Sequence, residues 1–534
     1  ITAKHLPVKV EQGVLKGKEV VKQNETIYHQ FSGIPYAKPP LYELRFQAPQ
    51  EPNSWDGIHD ATVEGDVCTS MDMLTQQFRG SENCLFLNVY TPPNALNRSL
   101  PVLFWIHGGG FVSGSGNKEF YGPEYLIDHD IIVVTINYRL GVFGFLNLDY
   151  EMAPGNMGLM DQVMALRWVN KNIAAFGGDP QKITIIGESA GSASVHYLIL
   201  SESANGLFQR AILESGTALN PWAVQRNHTK RAFDLCKVLG FEPWDASAAY
   251  NFLGKISAEE LATTTIPKEF DGQLLTDFPF VPSVEKKFST HEPFLTETPL
   301  SKMLSGNFNK VPVLVGFNDA EGLLTLLSQK DENIWEKFDE DFEQFVPLDL
   351  GISIGSEASR ELSKAMKEFY FNNQSVVGNV QGIINITGDN WFTRGIDNFV
   401  KLTVEKQTEP LFYYEYKFDE HSISKLLFGN HGIDGACHMD ELVNIFRIPP
   451  YVTFVKETPT MLLTRNRMIT MWTNFIKYGN PISEPTDFLP VKWEPVTVEK
   501  LNYLSIDRDI TAGVNPEHHR MQFWQKHTKT INKF

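Results

Sequence analysis

The sequence predicts an α/β fold with a mainly parallel central sheet and helices on both faces. Two observations indicate this. Short apolar runs, rich in β-branched and aromatic residues, recur along the chain, and longer stretches with helical periodicity separate them. Runs that are apolar at every position suit strands that are buried on both faces of a sheet. No internal repeat or low-complexity linker divides the chain, so we expect one domain over residues 1–534.

The elements are expected in a definite order. An antiparallel hairpin comes first, because VKVEQGVLKGKEV alternates in hydropathy around Gly13. Residues 157–176 have apolar side chains at steps of three and four and predict a helix, which Gly177 and Gly178 end and Pro180 keeps from resuming. The buried strands expected are VLFWI (102–106), IIVVTI (131–136), ITII (183–186), AIL (211–213), VPVLVGF (311–317) and LFYYEY (411–416).

Composition excludes several functional classes. The chain is 42% hydrophobic and 21% charged, as in globular proteins with a large core. No run reaches the roughly 18 apolar residues that suggest a membrane span. The formal net charge of −17 repels phosphate backbones, so no nucleic-acid partner is expected. The four cysteines lack metal-ligand spacing, so no metal is expected either.

Cysteines and sequons favour the secretory pathway. Cys68 and Cys84 flank a polar stretch and could form a disulfide, although two unpaired buried thiols would also fit the composition. We therefore expect secretion or residence in the endoplasmic reticulum lumen, with the cytosol as the alternative. Five sequons are glycosylation candidates: Asn24, Asn97, Asn227, Asn373 and Asn385.

The stretch TIIGESAGSAS (184–194) contains the candidate nucleophile. Gly187, Ser189 and Gly191 match G-x-S-x-G, which places a serine on a sharp turn between a strand and a helix. A second match, GISIG, centres on Ser353. Only the first match has a buried strand before it and a helix-compatible run after it. We therefore expect Ser189 to be the nucleophile.

A serine nucleophile needs a base and an orienting acid. Asp319 and Glu321 follow the strand VPVLVGF and are candidate acids, although either could instead cap the next helix. His421, His431 and His438 all follow LFYYEY, and their spacing does not choose between them.

The segment HGGGF, 107–111, follows VLFWI directly and predicts an oxyanion hole. Its glycines let the backbone approach a reacting carbonyl group and leave N–H groups that can donate to an oxyanion. A third donor is expected from the N–H of Ala190 at a helix N-terminus. A phosphate-binding loop is the alternative, but neither G-x-x-x-x-G-K-[ST] nor G-x-G-x-x-G fits here.

With these motifs the sequence resembles the type-B carboxylesterases, which include the cholinesterases, and it is most similar to their insect α-esterase branch. The resemblance implies an α/β-hydrolase fold, long insertions that form an active-site gorge, and ester hydrolysis without a cofactor. It covers most of the chain through FSGIPYAKPP (31–40), LRFQAP (44–49), SENCLFLNVYTP (81–92), WIHGGGF (105–111), NYRLGVFGFL (137–146), GNMGLMDQVMALRWVNKNIAAFGGDP (155–180), GESAGSAS (187–194) and LFQRAILESG (207–216).

The resemblance also implies roles for individual residues. It assigns the acid to Glu321 and the base to His438, in HMDEL, and it matches Gly109, Gly110 and Ala190 to the oxyanion donors.

Outside the triad and the oxyanion hole, Ser215 matches a second serine that supports the triad, and Trp222 matches an aromatic wall of the acyl pocket. Phe111, Trp391 and Phe392 are expected to line the same cavity, with simple core packing as the alternative. Arg45 and Glu82 match a structural ion pair.

Three departures from the family pattern are visible. Ser192 replaces a glycine of the motif, with little expected effect on activity. The loop between Cys68 and Cys84 lacks the tryptophan that holds the choline cation in cholinesterases, so choline esters are not expected substrates. Cys236 and Cys437 match no further disulfide.

The predicted function is therefore hydrolysis of small to medium, mostly uncharged esters through an acyl-enzyme, in detoxification of xenobiotic or dietary esters. The partners expected are small-molecule esters and organophosphate inhibitors, while the oligomeric state stays open. A juvenile-hormone-type or lipid esterase is one alternative. A non-catalytic adhesion protein is another, but such relatives lack the nucleophile or a triad partner, and this chain keeps all three.

Overall fold

The computed structural model describes residues 5–22, 24–266, 278–328, 333–420, 422–429 and 432–528. The strands of this part are β1 His5–Val10, β2 Gly13–Val21, β3 Ile27–Pro35, β4 Ile58–Asp60, β5 Ser70–Met71, β6 Phe78–Arg79, β7 Phe86–Thr91, β8 Leu100–Ile106, β9 Ile132–Ile136, β10 Asn147–Tyr150, β11 Ala153–Pro154, β12 Gly178–Glu188, β13 Arg210–Glu214, β14 Val313–Asn318, β15 Leu411–Tyr416, β16 Asn502–Ile506 and β17 Ile510–Val514.

The helices of the same ranges are α1 Gly141–Phe145, α2 Met157–Asn172, α3 Ala190–Leu200, α4 His228–Val238, α5 Ala246–Leu253, α6 Ala258–Thr263, α7 Pro299–Ser305, α8 Leu323–Ser328, α9 Ile334–Glu340, α10 Glu357–Phe371, α11 Val380–Gly388, α12 Arg394–Lys406, α13 Ile423–Phe428, α14 Pro449–Phe454, α15 Pro459–Tyr478 and α16 His518–Thr528. None of these helices is long and apolar enough to cross a membrane.

In the described part of the chain, 13 strands form one sheet in the order β1-β2-β3-β7-β9-β8-β12-β13-β14-β15-β16-β17, with β4 beside β2. Every neighbouring pair from β9 and β8 through to β15 and β16 is parallel. The pairs from β1 to β9 along this order and the pair of β16 and β17 are antiparallel, including the predicted hairpin of β1 and β2, whereas β4 pairs parallel with β2. Because parallel neighbours need long crossover connections, helices pass over the sheet between them.

Alternate residues of the central strands enter separate cores on the two faces of the sheet. In β8, Phe104 and Ile106 belong to one core, whereas Leu103 and Trp105 belong to the other. Helices α2 and α3 contribute to the first core and α15 to the second. Burial on both faces is the reason that these strands read as continuous apolar runs.

The predicted elements are present, with boundaries that differ at several ends. LFYYEY coincides with β15, but ITII is only the end of β12, which already begins at Gly178. Pro180 therefore lies within a strand, at a place where the pairing of β12 with β8 is irregular. The helix predicted over 157–176 is α2 followed by one 3₁₀ turn, and it ends at Gly177, whose φ is 86°.

Two predicted cross-links are present near the start of the chain. Cys68 and Cys84 form a disulfide. Arg45 Nε and Nη2 donate to the two carboxylate oxygens of Glu82 at 2.6 and 2.5 Å. Cys236 and Cys437 are buried and free, as the sequence predicted.

A buried ion pair fixes the loop between β9 and α2. Arg139 Nε and Nη2 donate to the carboxylate of Asp161 at 2.8 and 2.7 Å, and Arg139 Nη1 donates to the carbonyl of Gln47 at 2.7 Å. The exposed fractions of the Arg139 and Asp161 side chains are 3% and 0%. Because water is excluded, each charge depends on its partner.

We predict that Asp161→Ala lowers the free energy of unfolding by about 3–5 kcal/mol, since it leaves the Arg139 charge buried without a partner. Urea unfolding followed by circular dichroism measures the change. Glu51→Ala is the control, because Glu51 pairs with Lys171 at 2.9 Å on the surface and its loss should hardly change stability. Equal effects of the two substitutions would contradict the prediction.

Candidate active site

The predicted site residues meet at one edge of the sheet. Ser189 directly follows β12, Glu321 follows β14, His438 follows β15, and 107–111 follows β8. These strands are parallel, so their carboxyl ends share an edge, where α/β proteins place their ligand sites. The second G-x-S-x-G serine, Ser353, is exposed in a turn ahead of α10 and lies outside this group.

The backbone at Ser189 is strained. Its φ of 59° and ψ of −122° are unusual for a residue with a side chain, and it turns the chain from β12 into α3. The turn is tight enough to require the glycine of the motif, because a Cβ on Gly191 would lie 2.0 Å from the carbonyl oxygen of Ile106. Backbone strain of this kind is typical of functional sites, where the surrounding structure holds it in place.

His438 and Glu321 form a buried pair. His438 Nδ1 lies 2.6 Å from Glu321 Oε2, and Glu321 Oε1 accepts the N–H of Asn318 at 2.8 Å. Ser424 Oγ donates to the carbonyl of His438 at 2.6 Å and so fixes the backbone that carries the ring. This pairing holds an imidazole in one orientation, as a general base requires.

The other candidate acid, Asp319, has a different hydrogen-bond partner, and the other candidate histidines are not described. Asp319 accepts the N–H of Ala436 at 2.8 Å, so it joins the loop ahead of His438, and among the described residues it makes no hydrogen bond to the next helix. His421 and His431 lie outside the described residues.

A second carboxylate faces the other side of the imidazole. His438 Nε2 lies 3.0 Å from Glu188 Oε1. Burial alone would lower the pKa of His438, but Glu188 and Glu321 oppose it and hold that pKa well above the ordinary range. Both ring nitrogens face carboxylates, so this arrangement suits the imidazolium ion. Among the described residues, no hydrogen bond joins Ser189 Oγ to His438.

Two more buried carboxyl groups surround Glu188. Glu214 is its partner in the register of β12 and β13, and Trp472 Nε1 donates to Glu214 Oε1 at 2.5 Å. Burial raises the pKa of Glu214 to about 8 and raises that of Glu441 as well. The neutral form of Glu214 is therefore favoured at neutral pH. Sequence reasoning missed all three glutamates. The signal for Glu188 and Glu214 was an acid at the end of an apolar strand, whereas Glu441 lies in the 3₁₀ turn after His438.

The glycine loop has the conformation that an oxyanion hole needs. Gly109 and Gly110 have φ values of +100° and +62°, and a Cβ on Gly109 would lie 2.2 Å from the carbonyl oxygen of Ser113. Within the described ranges, neither of their N–H groups donates to a backbone carbonyl. Ala190 is the first residue of α3, so its N–H has no intrahelical acceptor.

One cavity of about 230 Å³ has Gly109, Gly110, Ser189 and His438 in its wall. The few charged groups near it are paired, since Arg79 contacts Asp72 at 3.1 Å and Glu119 at 2.7 Å. Most of the remaining lining is apolar: Met73, Leu74, Phe120, Trp222, Phe278, Leu324, Trp391, Phe392, Ile423, Phe428 and Ile448.

The predicted aromatic residues occupy two positions. Trp222, Trp391 and Phe392 lie in the cavity wall, and the Phe392 ring centroid is 4.4 Å from that of His438. Phe111 is fully buried and packs 6.3 Å from Trp222 and 5.2 Å from Phe145, between ring centroids, so it supports the wall from behind.

The two further serines behave differently. Ser215 is buried with a φ of 57°, and its hydroxyl has no hydrogen-bond partner among the described residues. Its support of the triad stays a prediction. Ser192, which replaces the motif glycine, donates to the carbonyl of Gly216 at 2.6 Å and so ties α3 to the turn that follows β13.

No group of histidine, cysteine, aspartate or glutamate side chains in the described ranges could hold a metal ion. The arrangement offers instead a strained serine, a buried histidine–carboxylate pair and free backbone donors around an apolar cavity. These are the groups that acyl transfer through a serine requires.

The fold is that of the α/β-hydrolases, and comparisons with known proteins agree with it. The crystal structure of juvenile hormone esterase from Manduca sexta, with OTFP covalently attached, matches 99% of this chain and 100% of its own with a TM-score of 0.88 and 32% identity. The carboxylesterase family model matches residues 4–524. The chain belongs to the carboxylesterase family and is a carboxylic-ester hydrolase.

Two insect relatives illustrate the likeness. Juvenile hormone esterase from Tribolium castaneum is 37% identical over 93% of this chain and 87% of its own length. Esterase FE4 from Myzus persicae is 32% identical over 95% and 90%. The recognition of the family from the motifs is thus confirmed.

We predict that Glu188→Gln moves the acidic limb of the pH profile of kcat/KM to lower pH by about one unit or more. The base must be neutral to accept a proton, and removing one neighbouring carboxylate lowers the pKa of His438. Hydrolysis of a neutral ester between pH 5 and 9, as a rough range for histidine titration, measures the limb.

The control is Glu285→Gln, which changes another buried glutamate, one hydrogen-bonded to Asn156 at 2.5 Å and absent from the cavity wall. An equal displacement of the limb in both variants, or none in Glu188→Gln, would contradict the prediction.

Proposed function

We propose that the protein is a serine carboxylesterase in which Ser189 is the nucleophile, His438 the base and Glu321 the orienting acid. The observation that carries this proposal is the 2.6 Å contact between His438 and Glu321 beside the strained elbow of Ser189, all at one edge of the sheet. Gly109, Gly110 and Ala190 are proposed as the oxyanion donors.

The reaction proceeds through an acyl-enzyme. Ser189 Oγ attacks the ester carbonyl carbon while His438 Nε2 takes the hydroxyl proton, and the oxyanion accepts hydrogen bonds from the backbone N–H groups. The bond to the alcohol then breaks, and the alcohol leaves with the proton from His438. Water repeats the sequence on the acyl-enzyme, releasing the acid and restoring Ser189.

The ion pair between His438 and Glu188 has to break before this chemistry can begin. With Nε2 held 3.0 Å from Glu188 Oε1, the ring is placed as a cation between two carboxylates, a form that cannot accept a proton. Loss of that proton removes the attraction to Glu188 and leaves Nε2 as an acceptor for the Ser189 hydroxyl. The same ion pair stabilises the imidazolium that forms during the attack.

The substrates are proposed to be small to medium, mostly uncharged esters with apolar groups. An apolar wall favours such groups, and Arg79 is already paired with Asp72 and Glu119, so it offers no free cation to an anionic substrate. A role in detoxifying xenobiotic or dietary esters, with susceptibility to organophosphates, fits this cavity. The likeness to esterase FE4 supports the same proposal.

A juvenile-hormone-type esterase is the second candidate. The similar proteins include juvenile hormone esterases at 37% and 32% identity. An apolar ester of that type would contact the same aromatic and aliphatic wall. Acyl-chain and alcohol preferences across a panel of esters separate the two candidates.

The compartment is proposed to be secretory. The disulfide between Cys68 and Cys84 suits an oxidising environment. Among the sequon asparagines, Asn24, Asn97, Asn227 and Asn373 are exposed. Asn385 is half-buried, and its side-chain oxygen accepts from Arg520 Nη1 at 2.8 Å. Occupancy by glycans remains a prediction.

We predict that Ser189→Ala lowers kcat for ester hydrolysis by about 10⁵-fold or more, because the nucleophile itself is lost. An organophosphate should inactivate the wild-type protein with one adduct per chain. Peptide mass mapping should place that adduct on the peptide carrying Ser189. Ser353→Ala is the matched control, since Ser353 is the centre of the other G-x-S-x-G, and it should retain full activity. An adduct on Ser353 would overturn the assignment.

We predict that an uncharged ester is preferred over its cationic isostere by about tenfold or more, since the Cys68–Cys84 loop has no tryptophan to offset the desolvation of an ammonium group. Butyrylthiocholine and 3,3-dimethylbutyl thiobutyrate differ in charge but hardly in shape. Their kcat/KM values under identical conditions measure the preference, and a preference for the choline ester would refute it.

A further inference from the structure

Asn220 occupies a hydrogen-bonding position that the reaction itself does not use. It is fully buried in the segment that follows β13, and it is absent from the cavity wall. Its Oδ1 accepts the N–H and the hydroxyl of Thr217 at 2.7 and 3.0 Å. Its Nδ2 donates to the carbonyls of Trp391 and Phe392 at 2.6 and 2.9 Å. The side-chain amide therefore joins two separate segments.

The segment that receives these hydrogen bonds is a single π-helical turn, Asp389–Thr393, between α11 and α12. Such turns are uncommon and recur at functional sites. Trp222 Nε1 donates to the same Trp391 carbonyl at 2.7 Å, so two side chains of one segment anchor the turn. A Cβ on Gly395 would lie 2.5 Å from Asn220 Nδ2, which shows how closely α12 approaches the amide.

The other segment lies against the nucleophile. A Cβ on Gly216, next to Thr217, would lie 2.5 Å from the carbonyl oxygen of Ser189. Ser192 donates to the Gly216 carbonyl at 2.6 Å. The turn at 215–217 is therefore packed on the elbow, and Asn220 connects that turn to the part of the chain that carries the aromatic wall.

We propose that Asn220 is a positioning residue for acyl specificity: it holds the Trp391 and Phe392 rings at a set distance from the elbow of Ser189. The inference rests on the proposed function, in which those rings contact the acyl group. Only a side-chain amide supplies two N–H donors and an acceptor from so small a group. Aspartate at this position would face two carbonyl oxygens without a donor.

A loss of acyl discrimination separates this role from general stabilisation. Asn220→Ala frees the π turn, so the ratio of kcat/KM between p-nitrophenyl octanoate and p-nitrophenyl acetate should change by about tenfold or more. Active-site titration with an organophosphate corrects every rate for the fraction of functional protein. A parallel loss at all chain lengths, or an unchanged ratio, would overturn the proposal.

Asn309→Ala is the matched control. The Asn309 amide also donates to two backbone carbonyls, those of Leu198 and Ser201 at 3.2 and 3.3 Å, but it lies at the far end of α3. It should lower the melting temperature without changing the acyl ratio. A changed ratio in this variant would show that the loss of any amide between two backbone carbonyls disturbs specificity and would count against the proposal.

Asn220→Ser covers the case in which the alanine variant does not fold, since serine keeps one donor. The same ratio then decides, and failure of both variants to fold would assign Asn220 a purely structural role.

Hydrogen exchange gives a readout without catalysis. Amides of 389–393 should exchange faster in the variants, and unchanged exchange overturns the proposal. A wild-type protein without ester turnover would instead overturn the proposed function. The exchange experiment would then still test whether Asn220 holds the π turn.

Discussion

The structure of the site depends on one interaction, the imidazole of His438 held between two buried carboxylates. Glu321 and Glu188 lie 2.6 and 3.0 Å from its two nitrogens, and all three side chains are at most 5% exposed. Burying these charges is costly unless each has a partner. The pairing is possible because β12, β14 and β15 bring residues far apart in sequence to one edge of the sheet, so the register of the parallel strands sets the geometry of the charges.

The same sheet also supports the strain at Ser189. A positive φ at a serine is destabilising by itself, and this backbone conformation persists only where the surroundings allow no alternative. Ser189 donates its N–H to the carbonyl of Glu214 at 2.8 Å, and its own carbonyl accepts from Ala193 at 2.9 Å. With Gly191 pressed against the backbone of β8, the elbow is held by both a neighbouring strand and its own helix. These contacts therefore keep Ser189 in the wall of the cavity.

Local patterns explain which parts of this arrangement could be predicted from the sequence. Buried strands, the elbow and the glycine loop each follow from a short run of residues. Contacts over long separations do not, and Glu321 is 117 residues from His438, so spacing could not choose among the histidines. The contact of Glu188 with His438 and the role of Asp319 as an acceptor for Ala436 depend on how loops cross the sheet edge. Pro180 entered a strand because irregular pairing there does not need its N–H.

Chemistry and specificity are carried by different parts of the chain. The proposed nucleophile, acid and oxyanion loop follow strands of the sheet, whereas Trp391 and Phe392 lie on a turn between two helices outside it. A turn that is not part of the sheet can change its sequence without disturbing strand register, but its rings then need another means of alignment with the elbow. The amide of Asn220 provides that alignment by joining the turn to the segment packed on Ser189. The Phe392 ring, whose centroid is 4.4 Å from that of His438, extends the alignment to the proposed base.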